Sequence, residues 1–278
     1  RHMTSTVLPF QVVKAPETWR TVDFISDLHL QVQEPATFQL WERYMHETRA
    51  DAVFILGDLF EVWVGDDAVM ATDFLKQCQA VLKATTAQRH VAFMRGNRDF
   101  LVGTDFLKSC GVHNLQDPSV LRFASQNWLL SHGDEGCLGD TDYQAFRRMV
   151  RQTDWQREFL AKPLAEREAI ARQLRNQSQQ HKNNPASVYA DVDDDCASIN
   201  WLLIPLPSDS ARVVNRVLHP AQISAFPCAS SAASPSTAPT LVPAPTSGES
   251  THECVYKNAQ ELTKVAREKA SPRKPNAV

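Results

Sequence analysis

Residues 21–134 repeat one pattern: a short apolar strand, then a polar cluster opened by a small residue, with helical spacing between repeats. Thr21-Val22-Asp23-Phe24-Ile25-Ser26 runs into Asp27-Leu28-His29. Ala52–Leu56 runs into Gly57-Asp58-Leu59-Phe60, and His90–Arg95 into Gly96-Asn97-Arg98-Asp99. Trp128-Leu129-Leu130-Ser131 runs into His132-Gly133-Asp134. A five-residue run as apolar as Ala52–Leu56 belongs in a strand covered on both faces. Helical periodicity lies between these strands at 37–48 (Phe38, Leu40, Trp41, Tyr44, Met45), at 67–85 and at 104–110. Leu121–Phe123 and Trp128–Ser131 read as paired strands across a Ser-Gln-Asn turn. Strand–helix alternation predicts an α/β (α+β) chain, with helices flanking its sheets and ligand chemistry at the strands' carboxyl ends.

Composition divides the chain. Eight of nine glycines lie at or before Gly139, all six tryptophans at or before Trp201, and ten of sixteen prolines at or after Pro205. Residues 4–203 are expected to form the folded domain. Residues 204–278 are an atypical segment, expected to be disordered or the product of a reading-frame shift. The Ser-, Ala-, Thr- and Pro-rich stretch 225–251 has little to bury against its ordering entropy. A net charge of −3 argues against a polyanionic partner such as nucleic acid. No apolar run reaches the roughly 18 residues that a membrane span needs. The six cysteines form no CxxC pair, which predicts reduced thiols in a cytoplasmic protein.

The four clusters supply carboxylate, amide and imidazole donors, a set suited to divalent ions such as Mn²⁺, Mg²⁺ or Zn²⁺. In order, Asp27-x-His29, Gly57-Asp58, Gly96-Asn97 and His132 resemble the first four blocks of the calcineurin-like metallophosphoesterases. That resemblance implies a β-sandwich flanked by helices, with two metals in a cleft. Three further features narrow it: Arg98-Asp99-Phe100, the run Gly57-Asp58-Leu59-Phe60-Glu61-x-Trp63-x-Gly65-Asp66-Asp67, and Tyr143-Gln144-Ala145-Phe146-Arg147. Together they resemble the UDP-2,3-diacylglucosamine diphosphatases of lipid A biosynthesis, over residues 21 to 201.

The resemblance implies that Asp27 and His29 hold one metal, that Asp58 bridges, and that Asn97 and His132 hold a second, with Mn²⁺ expected. A hydroxide activated between the ions would hydrolyse the diphosphate to UMP and the acylated sugar 1-phosphate. Arg98 would bind the diphosphate, its planar fork suiting phosphate oxygens; an ion pair with Asp99 is the alternative reading. Asp140, Ser178 and Lys182, together with Asn97, match substrate-contacting positions. Residues 136–190 would form an apolar helical lid for a UDP-diacylglucosamine lipid. Arg147, Arg148, Arg151, Arg157, Arg167, Arg172 and Arg175 suggest a face against anionic headgroups, or simply a solvated helix face. The implied location is cytoplasmic and peripheral on the inner membrane of a Gram-negative bacterium.

The family also implies a fifth block, Gly-His-x-His, beyond the lid. After Trp201 the chain reads Leu-Leu-Ile-Pro-Leu-Pro, and only His219 and His252 follow, each isolated. The C-terminal strands of the second sheet are therefore expected to be missing, leaving an unpaired edge. A different phosphoesterase, such as a nucleotide phosphodiesterase, and a weakly active scaffold are the alternatives.

Overall fold

In a computed structural model, residues 10–182, 211–215 and 253–258 are described, the last two segments and 179–182 by their backbone alone. The elements are, in order, β1 (Gln11–Lys14), β2 (Thr21–Ser26), α1 (Pro35–Glu47), β3 (Ala52–Leu56), α2 (Ala68–Ala71), α3 (Asp73–Thr86), β4 (His90–Met94) and α4 (Thr104–Cys110). There follow β5 (His113–Leu115), β6 (Ser119–Phe123), β7 (Gln126–Ser131), α5 (Thr141–Val150), α6 (Thr153–Leu160), α7 (Leu164–Lys182), β8 (Ala211–Asn215) and β9 (Glu253–Asn258).

Two sheets form a sandwich. One has the order β5-β4-β3-β2-β9 and is parallel throughout. The other has the order β1-β6-β7-β8 and is mixed, its β6–β7 pair antiparallel. Strand alternation explains the layering, because neighbouring residues point to opposite faces. Val22, Phe24, Phe54, Leu56 and Met94 face Leu121, Phe123, Trp128 and Leu130 between the sheets. Ile25, Val53, Ile55, Val91 and Phe93 face the other way, onto Trp41 and Met45 of α1, Cys78 and Leu82 of α3, and Phe106 of α4. The β3 strand is buried at every position, as its unbroken apolar run requires.

The sequence expectations hold for the alternation and differ at particular joints. The helix expected over 67–85 is two helices, interrupted by Thr72 in an extended conformation. The β6–β7 turn is Ala124-Ser125 rather than Ser-Gln-Asn; both residues have positive φ (54° and 59°), the geometry of a two-residue type I′ hairpin. The C-terminal segment is not without strands: β8 lies parallel along β7, and β9 parallel along β2. The edge expected to be unpaired therefore carries a further strand, β8, and β9 extends the parallel sheet as well. The expectations for 183–210, 216–252 and 259–278 lie outside the described residues.

Candidate metal centre

Every polar cluster sits where its strand ends, and the loops after β2 and β3 are knitted together. The backbone N–H groups of Asp27, His29 and Leu30 donate to the carbonyls of Gly57, Asp58 and Leu59 at 3.2, 3.0 and 2.8 Å. Asp27, His29 and Asp58 all adopt positive φ (57°, 50° and 54°). Non-glycine residues there cost on the order of 1–3 kcal/mol each and persist only where surrounding contacts dictate them. Much of that dictation comes from Asp99, which is fully buried. Its carboxylate accepts N–H bonds from Gly96 and Leu59 at 2.8 Å, and from Asp58 and Phe60 at 3.3 Å. Burial, and then the neighbouring Asp58, push its carboxyl up to about 6 against those bonds. Asp99 is thus a clamp on two loops, and the reading that paired it with Arg98 gives way. The Arg98 guanidinium instead stands 3.9 Å from Glu61.

The donors converge on Asp58. Its Oδ2 lies 3.8 Å from His29 Nε2, which is 3.7 Å from Asp27 Oδ1. Its Oδ1 lies 3.6 Å from His132 Nε2, which is 3.2 Å from Asn97 Oδ1. One carboxylate therefore faces two half-sites, one oxygen to each. Ligand atoms of Asp27, His29 and Asp58 all lie within 4.8 Å of one another. Each imidazole has an oxygen behind it. His132 Nδ1 is 2.9 Å from the Leu56 carbonyl, and His29 Nδ1 is 2.9 Å from Glu61 Oε2. The Leu56 acceptor at Nδ1 fixes the His132 tautomer that leaves Nε2 as a lone-pair donor, the usual arrangement behind a metal-binding histidine, whereas Glu61 stands close to His29 Nδ1 without a hydrogen-bonding geometry. Space is reserved as well: a Cβ on Gly96 would fall 2.1 Å from Asp58 Oδ1 and 2.8 Å from His132 Cε1. Carboxylate, amide and imidazole donors in two halves around one shared carboxylate fit a pair of divalent cations.

Beside this centre, a cleft of about 490 Å³ opens between the loops and the lid. It is lined by the polar Asn97, Arg98, Asp140, Arg175 and Ser178 and by the apolar Trp63, Phe100, Phe146, Trp155, Phe159 and Leu174. Arg98, Asp140 and Ser178 thus share the cleft that the sequence predicts for them. Asp140 also caps α5, accepting the Tyr143 N–H at 3.0 Å. Lys182 ends α7, and its side chain lies outside the described residues.

The lid arginines divide differently from the expectation of a shared outer face. Arg147 pairs with Asp134 at 2.9 Å and with Glu135 at 3.3 Å. Arg167 is buried and grips Asp67 and the Val64 carbonyl. Arg175 pairs with Glu61, and Arg151 reaches the Gly96 carbonyl. Arg157 and Arg172 remain outside, each pairing along its own helix, with Asp154 and Glu168.

Comparison with known proteins then decides the family. Residues 20–194 match the calcineurin-like phosphoesterase family. The chain belongs to that family. This calcineurin-like phosphoesterase is similar to the UDP-2,3-diacylglucosamine hydrolase of Chromobacterium violaceum, 47% identical over 58% of this chain and 68% of that protein. The hydrolase of the same name from Aromatoleum aromaticum is 41% identical over 61% of this chain and 69% of its own length. That of Cellvibrio japonicus is 42% identical over 62% and 72%. Among solved structures, a nuclease of Pseudomonas putida aligns at 22% identity with a TM-score of 0.31, over 40% of this chain and 53% of that one.

The sequence reading missed Glu61, Asp99, Asp117, Asp134 and Arg175 as site residues. Asp117 accepts Ser131 Oγ at 2.8 Å and the His132 N–H at 3.2 Å, so it fixes the loop that presents His132. Asp134 is nearly buried, yet its carboxyl sits at about 2. Burial alone would raise it, and His132, Arg147, the Tyr143 hydroxyl and Arg151 together overcome that. Asp99 and Asp134 lie inside the conspicuous clusters and Glu61 directly follows one, but whether they point at a ligand or at a neighbour depends on loop geometry.

Proposed function

We propose that this chain hydrolyses the diphosphate bond of UDP-2,3-diacylglucosamine, giving UMP and 2,3-diacylglucosamine 1-phosphate. The observation that carries the reading is the continuity of the donor cluster around Asp58 with an apolar cleft under the lid. Headgroup chemistry and acyl chains then have adjoining places. The named function of the similar hydrolases supports it. Asp27, His29 and Asp58 would hold one divalent ion, and Asp58, Asn97 and His132 the other, with Mn²⁺ as the proposed metal. Bound there, two such ions supply Lewis-acid polarisation of the phosphoryl oxygens and acidify water for an in-line displacement.

The chain's own residues do the rest. The Leu56 carbonyl holds the His132 imidazole in the donor tautomer, and the Glu61 carboxylate lies beside His29 Nδ1. Arg98 offers a permanent planar charge to the diphosphate in the cleft. Asp140 and Ser178 contact the polar part of the substrate. The aromatic walls exclude water and take the acyl chains, each buried CH₂ contributing about 0.8 kcal/mol. The exposed Leu138, Met149 and Leu160 on the lid segment suit peripheral contact with the cytoplasmic face of the inner membrane.

The test is Mn²⁺-dependent release of UMP from UDP-2,3-diacylglucosamine in detergent micelles. UMP formation that chelation stops is the expected result. Cleavage of bis-p-nitrophenyl phosphate with no release of UMP would instead favour a nucleotide phosphodiesterase.

A further inference from the structure

Arg151 follows the last turn of α5 and touches three parts of the molecule. Its Nη2 donates to the Gly96 carbonyl at 2.9 Å. The same nitrogen lies 3.8 Å from Asp134 Oδ2. Its guanidinium carbon stands 5.7 Å from the centre of the Phe100 ring, within cation–π range. Gly96 immediately precedes Asn97, and Asp134 lies two residues beyond His132. Phe100 and Trp155, with ring centres 6.2 Å apart, form one wall of the apolar cleft.

We propose that Arg151 is a positioning residue that couples filling of the apolar cleft to the placement of Asn97 and His132. A hydrogen bond to the Gly96 carbonyl sets the peptide plane that leads into Asn97. The contact with Asp134 ties the same guanidinium to the His132 loop. Asp134 is held further by the Tyr143 hydroxyl at 2.5 Å and Arg147 Nε at 2.9 Å, both from α5. Lid and donor loops therefore meet on one carboxylate. The Arg151 side chain is 24% exposed, so water competes for its fork while the cleft is open. An acyl chain packed on Phe100 and Trp155 fixes the Phe100 ring and excludes that water. Both polar contacts of Arg151 then strengthen, since charge interactions grow as the local dielectric falls. The chain's binding energy thereby appears in turnover as well as in affinity.

The substrate arm of the test rests on the hydrolase reading, and the metal arm does not. Wild type, Arg151→Met and Arg151→Lys are compared in two measurements. Calorimetric Mn²⁺ titration without substrate should show R151M losing about 10–100-fold in affinity for one ion, the usual effect of removing an outer partner. Kinetics on UDP-2,3-diacylglucosamine and its diacetyl analogue should give wild type a kcat about tenfold higher on the long-chain substrate, a ratio that collapses to about one in R151M. R151K, which keeps the charge without the planar fork, should fall between and covers the case of a misfolded R151M. Mn²⁺ affinity changed by less than about twofold, or a chain-length ratio in kcat that survives the substitution, overturns the proposal. If wild type cleaves bis-p-nitrophenyl phosphate and releases no UMP, the substrate reading fails, and the Mn²⁺ titration alone decides whether Arg151 positions the centre.

Discussion

Asp58 is fully buried in a left-handed backbone conformation and presents one oxygen to each imidazole. An amide in its place keeps the volume but loses the charge shared by both halves. Asp58→Asn should therefore lower metal-dependent hydrolysis by more than the roughly 100-fold that loss of an outer-shell partner costs. Steady-state rates across an Mn²⁺ series check this, and recovery of wild-type turnover at saturating metal would refute the shared-carboxylate arrangement. The five side chains that converge here stood out in sequence, because each follows an apolar strand and carries an atom able to bind a metal. Glu61 and Asp134 did not. An acid set beside a histidine and an acid that binds a metal look alike until the loop is folded. The lid arginines failed to be legible for a related reason. Arg147, Arg167 and Arg175 recur among the polar residues of the lid helices, but their partners lie in other segments: Asp67 and Glu61 are far away in sequence, and Asp134, 13 residues before Arg147, lies outside α5.

At the scale of elements, α7 is anchored by one buried side chain. Arg167 donates to the Lys162 and Val64 carbonyls and pairs with Asp67, in the loop that also holds Gly65. A Cβ on Gly65 would collide with Arg167 Nη1, so this loop and the guanidinium are shaped to each other. Arg167→Met should destabilise the protein by roughly 1.5–3 kcal/mol, the range for hydrogen bonds to a charged group. It should also raise the KM for a long-chain substrate more than that for bis-p-nitrophenyl phosphate, because the cleft wall moves with α7. Urea unfolding and paired kinetics check the two parts.

The opposite end of the parallel sheet carries a stacked pair, His90 on β4 and His113 on β5, with ring centres 4.3 Å apart. Trp19 and Phe54 also pack on His90. Burial, and then the neighbouring His113, push the His90 imidazole down to about 4. Its unfolded value is about 6.5, so between 4 and 6.5 the unfolded chain binds more protons. The contribution is complete above that window and is lost as pH falls through it. Wild type should lose more thermal stability between pH 7 and pH 5 than His90→Gln does; equal losses would remove His90 as the cause. β5 itself was not legible, since His113-Asn114-Leu115 offers a single apolar residue, and only the neighbouring β4 makes it a strand. The β1 strand escaped because it is only four residues long and fully buries none of its positions.

For the whole molecule, what sequence made legible is the layering, and what it left open is closure at the sheet edges. Residues 211–215 and 253–258 each add a parallel strand, the latter beside the β2 strand that ends at Ser26, next to Asp27. Neither announces itself, because each lies within a stretch whose composition argues against a core. The donor loops join both sheets: Asp27, Asp58 and Asn97 follow strands of the parallel sheet, and His132 follows β7 of the mixed one. A ligand gripping both sets therefore ties the two sheets together, and its binding should register as stability of the entire sandwich. For a ligand that binds only the folded state, a concentration of 100 Kd adds about 2.7 kcal/mol. In a domain of this size each kcal/mol moves Tm by roughly 2–4 °C. Mn²⁺ at saturation should thus raise Tm by roughly 5–10 °C in one cooperative transition. Asp58→Asn should remove most of that shift, whereas Arg157→Gln, on the outer face of α6, should leave it intact. If Mn²⁺ shifts the mutant at Asp58 as far as wild type, the ion binds elsewhere. If it shifts neither, the five donors do not form a centre that couples the sheets.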